Sequence, residues 1–551
     1  MFVGEEANLA DNLEENMPTY DGTVLDSGGA VFNVRSATYG AVGNGVADDT
    51  AAIQAAVNAA AAVRGTVLIP PGTYMVTAIQ LAAGITLSGY GATLKRPASQ
   101  PNWTRTLYMA GTGSGSWSGT SDSPLLTIEG LTLDGNSASQ GSYRAYQLEQ
   151  SHLIFLTANT SSAATSPGRL RVNLRDLVLR NSVADGISLY VNVDAQVSNC
   201  RADDCFRGGL TVTGGYSRVQ VQNFATTGAV DVTGIDVEID GAGYGGSLAV
   251  DAVFDGMVLD GDFDVAVGSG STVTATNVVS GPGFYLYAQG STVRIADSRF
   301  QVGSYSSEGN RIVYPHDVTF QNVVFELAGV GEVGAVDGAS AHIYWNVANS
   351  TVGGQRCRFL DCDFRVASGV SSSLTLVGIY AEADLLEYDN RLIVQGGSIS
   401  SAYDVGLVMA QGGRWIVKEM EVEAATGFDW TGVTTQWGAY TADLRIERVV
   451  FGGSTRYMHV GGSDAANILD HRDVVLEAAQ NVLGATYGLA ATYRGGRIIR
   501  VTADPTATNT PGLVGDRARR ATPAAGAAYE WICTAASTTA ATWKVASTLS
   551  A

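Results

Sequence analysis

Three carboxylates, Asp236, Glu238 and Asp260, occupy matching positions in a short motif that repeats along the chain. The motif reads Gly–apolar–x–apolar–x, and its copies begin at Gly186, Gly209, Gly234, Gly256, Gly283, Gly378, Gly406 and Gly427. Side chains alternate between the two faces of a strand, so the second and fourth residues face a core and the third and fifth face outward. We therefore expect Glu238 and Asp260 one above the other on adjacent strands, with Asp236 about 7 Å from Glu238 along its own strand.

Such an acidic group fits the cleavage of glycosidic bonds. That reaction needs one protonated carboxyl as acid and one ionised carboxylate as base or nucleophile, about 5 Å apart for retention and about 6.5–9.5 Å apart for inversion. Clustered carboxylates raise one another's pKa, which helps to keep one of them protonated. We predict Glu238, Asp260 and Asp236 as catalytic residues. The alternative is a solvated face, or one buried against a partner chain.

Aromatic residues at equivalent outward positions predict a surface for sugar rings. The predicted substrate-binding residues are Tyr190, Tyr285, Tyr287, Tyr380 and Glu382. The last two occupy motif positions farther along the chain and would extend the groove, with plain surface residues as the alternative. A lyase would instead need a base, for which Tyr314 and His316 are the weaker candidates.

Short strands at a nearly constant interval must position these side chains. The first four steps between motif copies are 23, 25, 22 and 27 residues. A repeat of roughly 24 residues that carries strands rather than helices is typical of one coil of a parallel β-solenoid. A single coil cannot bury its own inner face, so the coils stack at about 4.8 Å.

The N-terminal region predicts a helix followed by strands. Asp48, Asp49 and Thr50 precede the alanine-rich stretch AAIQAAVNAAAAVRG, with carboxylates to cap its start and Gly65 just past its end. The segment NVRSATYGAVGNGVADDTAAIQAAVNAA, followed by GTVLIPPGTY, resembles the N-terminal signature of pectate-lyase-like right-handed parallel β-helix proteins. The resemblance implies an all-β, right-handed parallel β-helix whose open end is plugged by this helix. It is specific for fold and not for chemistry.

The two ends of the chain differ from its middle. Residues 1–30 contain seven carboxylates and no basic residue, which is typical of a solvated arm or interaction tail. Near the C-terminus, GDRARRATPAAGAAYEWICT followed by ATWKV resembles a small β module of many phage tail proteins, with a generic β-cap as the alternative. The predicted domains are an anchoring arm (1–30), an N-terminal cap (31–96), a parallel β-helix shaft (97–483) and a C-terminal β module (484–551).

In combination these features resemble a bacteriophage tailspike. The resemblance implies a homotrimer that is attached to other phage tail or virion proteins through residues 1–30. It also implies a shaft that binds a host surface polysaccharide and depolymerises it, by hydrolysis in preference to elimination. The acidic start differs from the basic start of a signal peptide, so we expect assembly in the host cytoplasm and a final location in the virion. The alternatives are a non-enzymatic receptor-binding fibre or structural spike, and a secreted, monomeric pectinase-like glycanase.

Composition argues against several other classes of protein. A net charge of −20 and a pI near 4.6 disfavour nucleic-acid binding. No apolar run approaches the roughly 20 residues that a membrane-spanning helix needs. The five cysteines include two Cys-x4-Cys pairs, for which buried reduced thiols are favoured over a zinc site. We predict no metal and no cofactor.

Overall fold

The computed structural model describes most of the chain from residue 30 to residue 548. The ranges outside the description are 1–29, 110–116, 118–120, 142–147, 159–167, 214–215, 229–232, 239–248, 282, 303–310, 329–338, 348–353, 371–374, 384–389, 410–412, 431–441, 453–455, 461–467, 473, 477–491, 495–496, 511, 513, 523, 536–539 and 549–551. The predicted anchoring arm therefore lies outside the described residues, apart from Ala30.

The described residues form two compact units. The first runs to Phe284 and includes Gly290–Thr292, and the second comprises Tyr285–Gln289 and the residues from Val293 onward. In the first unit the helix α1 is Thr50–Val63, a 3-10 turn is Ser137–Ser139, and the strands are β1 (Val31–Asn33), β2 (Asn44–Asp48), β3 (Thr66–Leu68), β4 (Gly72–Met75), β5 (Ile79–Gln80), β6 (Thr86–Lys95), β7 (Leu107–Met109), β8 (Leu126–Asp134), β9 (Ile154–Leu156), β10 (Leu170–Arg175), β11 (Val178–Ser182), β12 (Asp185–Leu189), β13 (Val193–Cys205), β14 (Gly208–Thr213), β15 (Arg218–Thr227), β16 (Thr233–Glu238), β17 (Asp251–Leu259), β18 (Phe263–Ala266) and β19 (Thr272–Ser280).

Two parallel sheets run through the first unit. Sheet B consists of β5, β7, β9, β12, β14, β16 and β18, which pair in that order, and the other strands form sheet A. The chain passes from a strand of sheet A to one of sheet B and back in each coil, so that parallel neighbours come from successive coils. The predicted fold class, an all-β parallel β-helix with an N-terminal helix, is confirmed.

The second unit has the same organisation. Its strands are β20 (Phe284–Tyr287), β21 (Thr292–Val302), β22 (Arg311–Val313), β23 (Asp317–Leu327), β24 (Ala339–Val347), β25 (Arg356–Leu360), β26 (Asp363–Val366), β27 (Thr375–Ala383), β28 (Arg391–Gln395), β29 (Ser398–Ile399), β30 (Val405–Met409), β31 (Gly413–Lys418), β32 (Glu421–Val422), β33 (Thr426–Trp430), β34 (Ala442–Glu447), β35 (Val450–Phe451), β36 (Arg456–Val460), β37 (Ile468–Arg472), β38 (Val474–Leu476), β39 (Thr492–Arg494), β40 (Arg497–Val501), β41 (Arg517–Arg520), β42 (Ala528–Ala535) and β43 (Thr542–Thr548), of which β20 and β21 each begin with one residue of the first unit. Sheet D consists of β20, β22, β24, β27, β30, β33 and β36, and the remaining strands form sheet C. Pairing is parallel as far as β41 and becomes antiparallel from β41 to β43, within the predicted C-terminal module.

Helix α1 forms where the alanine-rich pattern predicts it. Its buried residues are Ile53, Ala56, Val57 and Ala60, which lie on one helical face. The predicted capping differs in part. Asp48 accepts a hydrogen bond from the Thr50 N–H at 3.0 Å, whereas Asp49 accepts from the N–H groups of Val42 and Gly43 in the preceding loop. Within the described residues no helix has both the length and the apolar character needed to cross a membrane.

The long strands of sheet A are each interrupted by one residue with positive φ. Asn199 (φ 52°), Asn223 (φ 52°), Gly256 (φ 70°) and Asn277 (φ 53°) hold this position on successive coils. Asparagine is one of the few residues other than glycine that tolerates this conformation. The Asn223 side chain also donates a hydrogen bond to that of Asn199 at 3.2 Å, which ties one coil to the next.

This positive-φ position explains why the sequence pattern assigns the motif copy at Gly256 to the wrong sheet. Gly256 lies opposite Asn223 in sheet A, while Gly234 is the second residue of β16 in sheet B. Asp260 therefore follows the end of β17, where its carboxylate accepts a hydrogen bond from the Gly228 N–H at 2.9 Å.

The strand of the next coil that pairs with β16 is β18, which carries no copy of the motif. In this pairing Asp236 lies opposite Asp264. The prediction that Asp260 lies directly above Glu238 is wrong, because a glycine of the motif can lie either at a left-handed position in one sheet or near the start of a strand in the other.

Candidate functional site

A cavity of about 490 Å³ lies against the outward face of sheet B in the first unit. Residues before β7 and in and before β9 form part of its wall, and residues of β12, β14 and β16 or next to these strands form the rest. The lining residues are Trp103, Arg105, Glu149, Gln150, His152, Phe155, Asp185, Ser188, Tyr190, Arg207, Thr211, Thr213 and Glu238.

The strand register stacks the outward side chains of sheet B into columns. One column contains Ser188, Thr211, Asp236 and Asp264, which are paired in succession. In the next, Thr213 pairs with Glu238. The intervening apolar residues, Ile187, Leu189, Leu210, Val212, Ile235 and Val237, are fully buried in the core. The predicted inward and outward faces of the motif are thus confirmed for these strands, and the small hydroxyl side chains leave room for a cavity.

Glu238 lies at the cavity wall, in contact with a hydroxyl group and a cation. Its Oε1 atom accepts hydrogen bonds from the Thr213 hydroxyl at 3.0 Å and from an Arg207 terminal nitrogen at 3.3 Å. Its side chain remains 30% exposed, so a ligand in the cavity can reach it. A cation and a hydroxyl donor both favour the ionised form of a carboxyl group.

The surroundings of Asp236, in contrast, favour its protonated form. Burial raises its pKa well above the ordinary value, and the nearby carboxylates of Glu238, Asp264 and Asp185 raise it further, while Arg207 opposes them. A carboxyl group with a raised pKa therefore lies two residues along β16 from an acidic side chain that is paired with a cation. Environments that separate two carboxyl groups in this way are what acid–base catalysis requires.

A second polar group lies deeper in the wall and was missed by the sequence analysis. Asp185 is fully buried; its Oδ2 atom lies 3.0 Å from Nδ1 of His152, without the alignment of a hydrogen bond, and its Oδ1 atom lies 3.9 Å from Nε of Arg207. Burial lowers the pKa of Arg207, but Asp185, Glu238, Asp236 and Glu149 outweigh it and raise the pKa. Arg207 thus stays charged between two carboxylates.

The sequence held one signal for this group. Asp185 directly precedes the motif glycine Gly186 and so lies outside the third and fifth motif positions, for which the pattern predicts outward side chains. Nothing in the spacing connects it with His152 or Arg207, because they come from different coils.

Aromatic side chains also line the cavity. The rings of Phe155 and Tyr190 are 5.8 Å apart, and the His152 ring stacks on Phe155 at 5.6 Å. The guanidinium carbon of Arg105 lies 3.4 Å from the centroid of Phe155 and 5.3 Å from that of Trp103, whose side chain is 64% exposed. The structure therefore brings the predicted residue Tyr190 into one cavity with Glu238.

The other predicted substrate-binding residues belong to the second unit. Tyr285 and Tyr287 lie on β20, where the Tyr287 hydroxyl donates a hydrogen bond to Gln289 at 2.9 Å and its ring contacts that of Tyr314 at 5.7 Å. Their role in binding stays a prediction.

Tyr380 and Glu382 lie on β27. Tyr380 is only 4% exposed and packs with Val377 and Val405, so the prediction that it lines an open groove is wrong. The side chain of Glu382 lies outside the described residues.

The cysteines are buried and reduced. All five are free and buried, and burial raises the pKa of the Cys200 thiol to about 12. In the part of the chain that the structure describes, no group of three or more His, Cys, Asp or Glu side chains is arranged to hold a metal ion.

Solved structures similar to this chain include enzymes and a viral protein. The A-module of the Azotobacter vinelandii mannuronan C-5 epimerase AlgE4 is 16% identical, with 85% of this chain and 100% of that chain covered and a TM-score of 0.29. The family 28 exopolygalacturonase of Yersinia enterocolitica is 14% identical, with 81% and 78% covered and a TM-score of 0.33. ORF18 of Geobacillus virus E2 is 13% identical, with 84% and 59% covered and a TM-score of 0.25. None of these similarities bears on the chemistry of the site.

Sequence comparison points to one family. No curated protein matches the chain with significant sequence similarity. Residues 31–211 match the family Rhamnogalacturonase A/epimerase, pectate lyase-like. The matched residues include helix α1 and the coils from β1 into β14, which carry most of the cavity. The match over residues 31–211 and the parallel coils both support the pectate-lyase-like β-helix fold that the N-terminal signature predicts.

Proposed function

We propose that the chain binds a polysaccharide in the sheet B cavity and hydrolyses a glycosidic bond there. The observation that supports this most is the pair Asp236 and Glu238, whose surroundings favour the protonated form of the first and the ionised form of the second. Asp236 is the proposed general acid and Glu238 the proposed general base.

The proposed reaction is a displacement by water. Asp236 donates its proton to the glycosidic oxygen as the bond between that oxygen and the anomeric carbon breaks. Glu238 accepts a proton from water, whose oxygen bonds to the anomeric carbon. The two residues are two positions apart on β16, about 7 Å between Cα atoms, which is closer to the separation of inverting enzymes than to that of retaining ones.

The cavity walls match a sugar substrate. Trp103 and Tyr190 present ring faces on which the apolar face of a sugar can stack, while Ser188 and Thr211 offer hydroxyl groups. Arg207 brings its positive charge next to Glu238 and is itself positioned by Asp185.

The test uses the variants E238Q and D236N on polysaccharides from candidate host surfaces. Each substitution preserves shape and removes an ionisable group, so we expect kcat to fall by about 10²–10⁴-fold while binding, measured by affinity electrophoresis, is retained. The matched control is D251N, an exposed aspartate of sheet A in the same unit. Release of reducing ends reports hydrolysis, and ultraviolet absorbance of an unsaturated product reports elimination.

Three outcomes contradict the proposal. If both variants release reducing ends at the wild-type rate, the acid and base are elsewhere. An unsaturated product identifies a lyase. Binding with no cleavage by the wild-type protein identifies a non-enzymatic receptor-binding fibre.

We further propose that the protein is a phage tailspike depolymerase. The acidic residues 1–30 and the C-terminal sequence GDRARRATPAAGAAYEWICT support attachment to a virion through the N-terminus, assembly as a homotrimer and a host surface polysaccharide as substrate. Sedimentation equilibrium of the full chain tests the oligomeric state, for which we expect three times the mass of 57.3 kDa. A monomer would favour the pectinase-like alternative.

A further inference from the structure

We propose that Arg96 is a positioning residue for substrate binding in the sheet B cavity, because its guanidinium holds together two segments of the chain that form part of the cavity wall. The segments are residues 103–105 and 149–152, which supply Trp103, Gln150 and His152 to the lining. This inference rests on the proposed function and adds a buried residue to it.

The Arg96 side chain reaches both segments from the end of β6. Arg96 directly follows β6 and is fully buried. Its Nη2 atom donates hydrogen bonds to the carbonyl oxygens of Thr104 at 2.7 Å, Ser151 at 3.0 Å and His152 at 3.2 Å. The hydroxyl oxygen of Thr106 is a further acceptor at 3.2 Å. One nitrogen atom therefore joins the backbones of the two segments.

Arg96 is a buried cation that no carboxylate of the described residues accompanies. Burial lowers its pKa to about 10, and no acidic side chain opposes this effect. At neutral pH the group is still a cation. Burial of a cation is costly unless its N–H groups find acceptors. The hydrogen bonds to the two segments therefore stabilise both the arginine and the wall that it holds.

The backbone of Trp103 requires a restraint of this kind. Its φ is 70°, in the left-handed region that a bulky residue rarely adopts. Such a conformation persists only where the surrounding structure enforces it. The Trp103 ring is largely exposed, so its own burial cannot supply the restraint.

The neighbours of Trp103 on both sides are held. On one side, the Asn102 side chain accepts hydrogen bonds from the N–H groups of Trp103 at 2.9 Å and Gln150 at 3.2 Å. On the other side, Arg96 binds the Thr104 carbonyl. Arg96 thus helps to fix the direction in which the Trp103 ring meets a sugar.

The proposed acid and base do not depend on this hold. Asp236 and Glu238 lie on β16, and Glu238 is bound by Thr213 and Arg207. Loss of Arg96 should therefore weaken substrate binding and leave the chemical step nearly unchanged, which is the kinetic signature of a contact made equally in the ground state and the transition state.

The kinetic experiment compares R96M and R96K with the control R497M/D516N in the full chain. The control removes another fully buried arginine, together with its carboxylate partner, from the second unit. Release of reducing ends from dextran, xylan and polygalacturonate is measured at a temperature at which circular dichroism shows every variant to be folded. We expect R96M to raise KM about tenfold with kcat within about twofold of the wild type. R96K should recover part of the affinity, and the control should change neither constant.

A double-mutant cycle with Trp103 separates positioning from general damage to the fold. W103A removes the ring that Arg96 positions. We therefore expect the KM of R96M/W103A to lie within about twofold of that of W103A alone. Two residues that act independently would instead multiply their effects on KM.

Hydrogen exchange followed by mass spectrometry tests the same contacts without a substrate. We expect R96M to increase the exchange of residues 102–106 and 149–153, and the control R497M/D516N to leave both segments as in the wild type. If R96M does not fold, R96K carries the same tests, with smaller changes in the same direction.

The proposal is overturned if R96M leaves KM unchanged, if it lowers kcat in place of raising KM, if its effect and that of W103A multiply, or if exchange in either segment stays at the wild-type rate. A wild-type protein that cleaves none of the three polysaccharides would contradict the proposed function on these substrates. The exchange experiment would then decide the role of Arg96.

Discussion

The outward faces of sheets B and D are built from the same motif positions and carry opposite chemistry. On sheet B these positions hold Asp236, Glu238 and hydroxyl residues beside a cavity. On sheet D, Tyr344 pairs with Tyr380, and Tyr380 packs into an apolar cluster. The register of parallel strands fixes which side chains are neighbours, and the side-chain types decide whether the face binds a ligand or adds to the packing.

The two faces contribute differently to the stability of the fold. Apolar residues on sheet D gain stability from burial, since each buried large side chain contributes about 1.5–3 kcal/mol. Carboxylates on sheet B lose hydration and repel one another, which raises the pKa of Asp236. We infer that the outward side chains of sheet B lower the stability of the fold and serve the reaction, whereas those of sheet D increase stability.

The largest effect should come from removing the cation on sheet B. In R207M, the buried Asp185 and the nearby Glu238 lose the charge between them, so we expect the free energy of unfolding of the first unit to fall by about 3 kcal/mol. Hydrolysis should fall as well. Urea denaturation measures the first effect and reducing-end release the second.

The double variant D185N/R207M is the control for R207M. It removes the buried carboxylate together with its cation and should recover most of the lost stability. If R207M is as stable as the wild type, Arg207 does not neutralise this group and the contrast between the two faces is weaker than proposed.

A matched pair of tyrosines separates binding from packing. Y380A removes a buried ring from the sheet D cluster and should lower the free energy of unfolding of the second unit by about 2–3 kcal/mol, with hydrolysis unchanged at temperatures where the variant is folded. Y190A should do the reverse, raising KM with little loss of stability. If the two variants change the free energy of unfolding and KM to the same extent, the proposed distinction between the two faces is wrong.

The pH dependence of stability offers a smaller effect. The pKa of Asp236 is raised in the folded state, so its protonated form stabilises the fold below the unfolded pKa, and this contribution is lost as the pH rises through the folded pKa. Above about pH 4, we expect the free energy of unfolding of D236N to depend less on pH than that of the wild type. Burial raises the pKa of Asp262 to about 6. Asp262 should therefore add its own pH dependence to the free energy of unfolding, which persists in D236N and disappears in D262N.

The smallest effect is expected at Asp260. An asparagine side chain can still accept the hydrogen bond from the Gly228 N–H, so D260N should change the free energy of unfolding by no more than about 0.5 kcal/mol and leave hydrolysis near the wild-type rate. A loss of hydrolysis as large as that of E238Q would show that Asp260 takes part in the site despite lying in sheet A.

Much of the fold follows from local sequence because its causes are local. The alternation of apolar residues predicts that Ile235 and Val237 face the core, and they are fully buried. The alanine-rich pattern likewise predicts α1, and the repeat of roughly 24 residues predicts stacked coils.

The candidate site can be predicted from the sequence only in part. Glu238 and Tyr190 were found because they occupy outward motif positions, and both line the cavity. Asp185, His152 and Arg207 were missed, since each comes from a different coil and the spacing of one coil carries no information about its neighbours.

By itself, the sequence determined the class of fold, the faces of the strands and the presence of outward carboxylates, because side-chain alternation and repeat length act within a few residues. Only the tertiary structure decided that Gly256 takes positive φ in sheet A while Gly234 lies within a strand of sheet B, and hence that Asp264, not Asp260, lies opposite Asp236. Backbone pairing between coils makes that choice, and it depends on residues far apart in the chain.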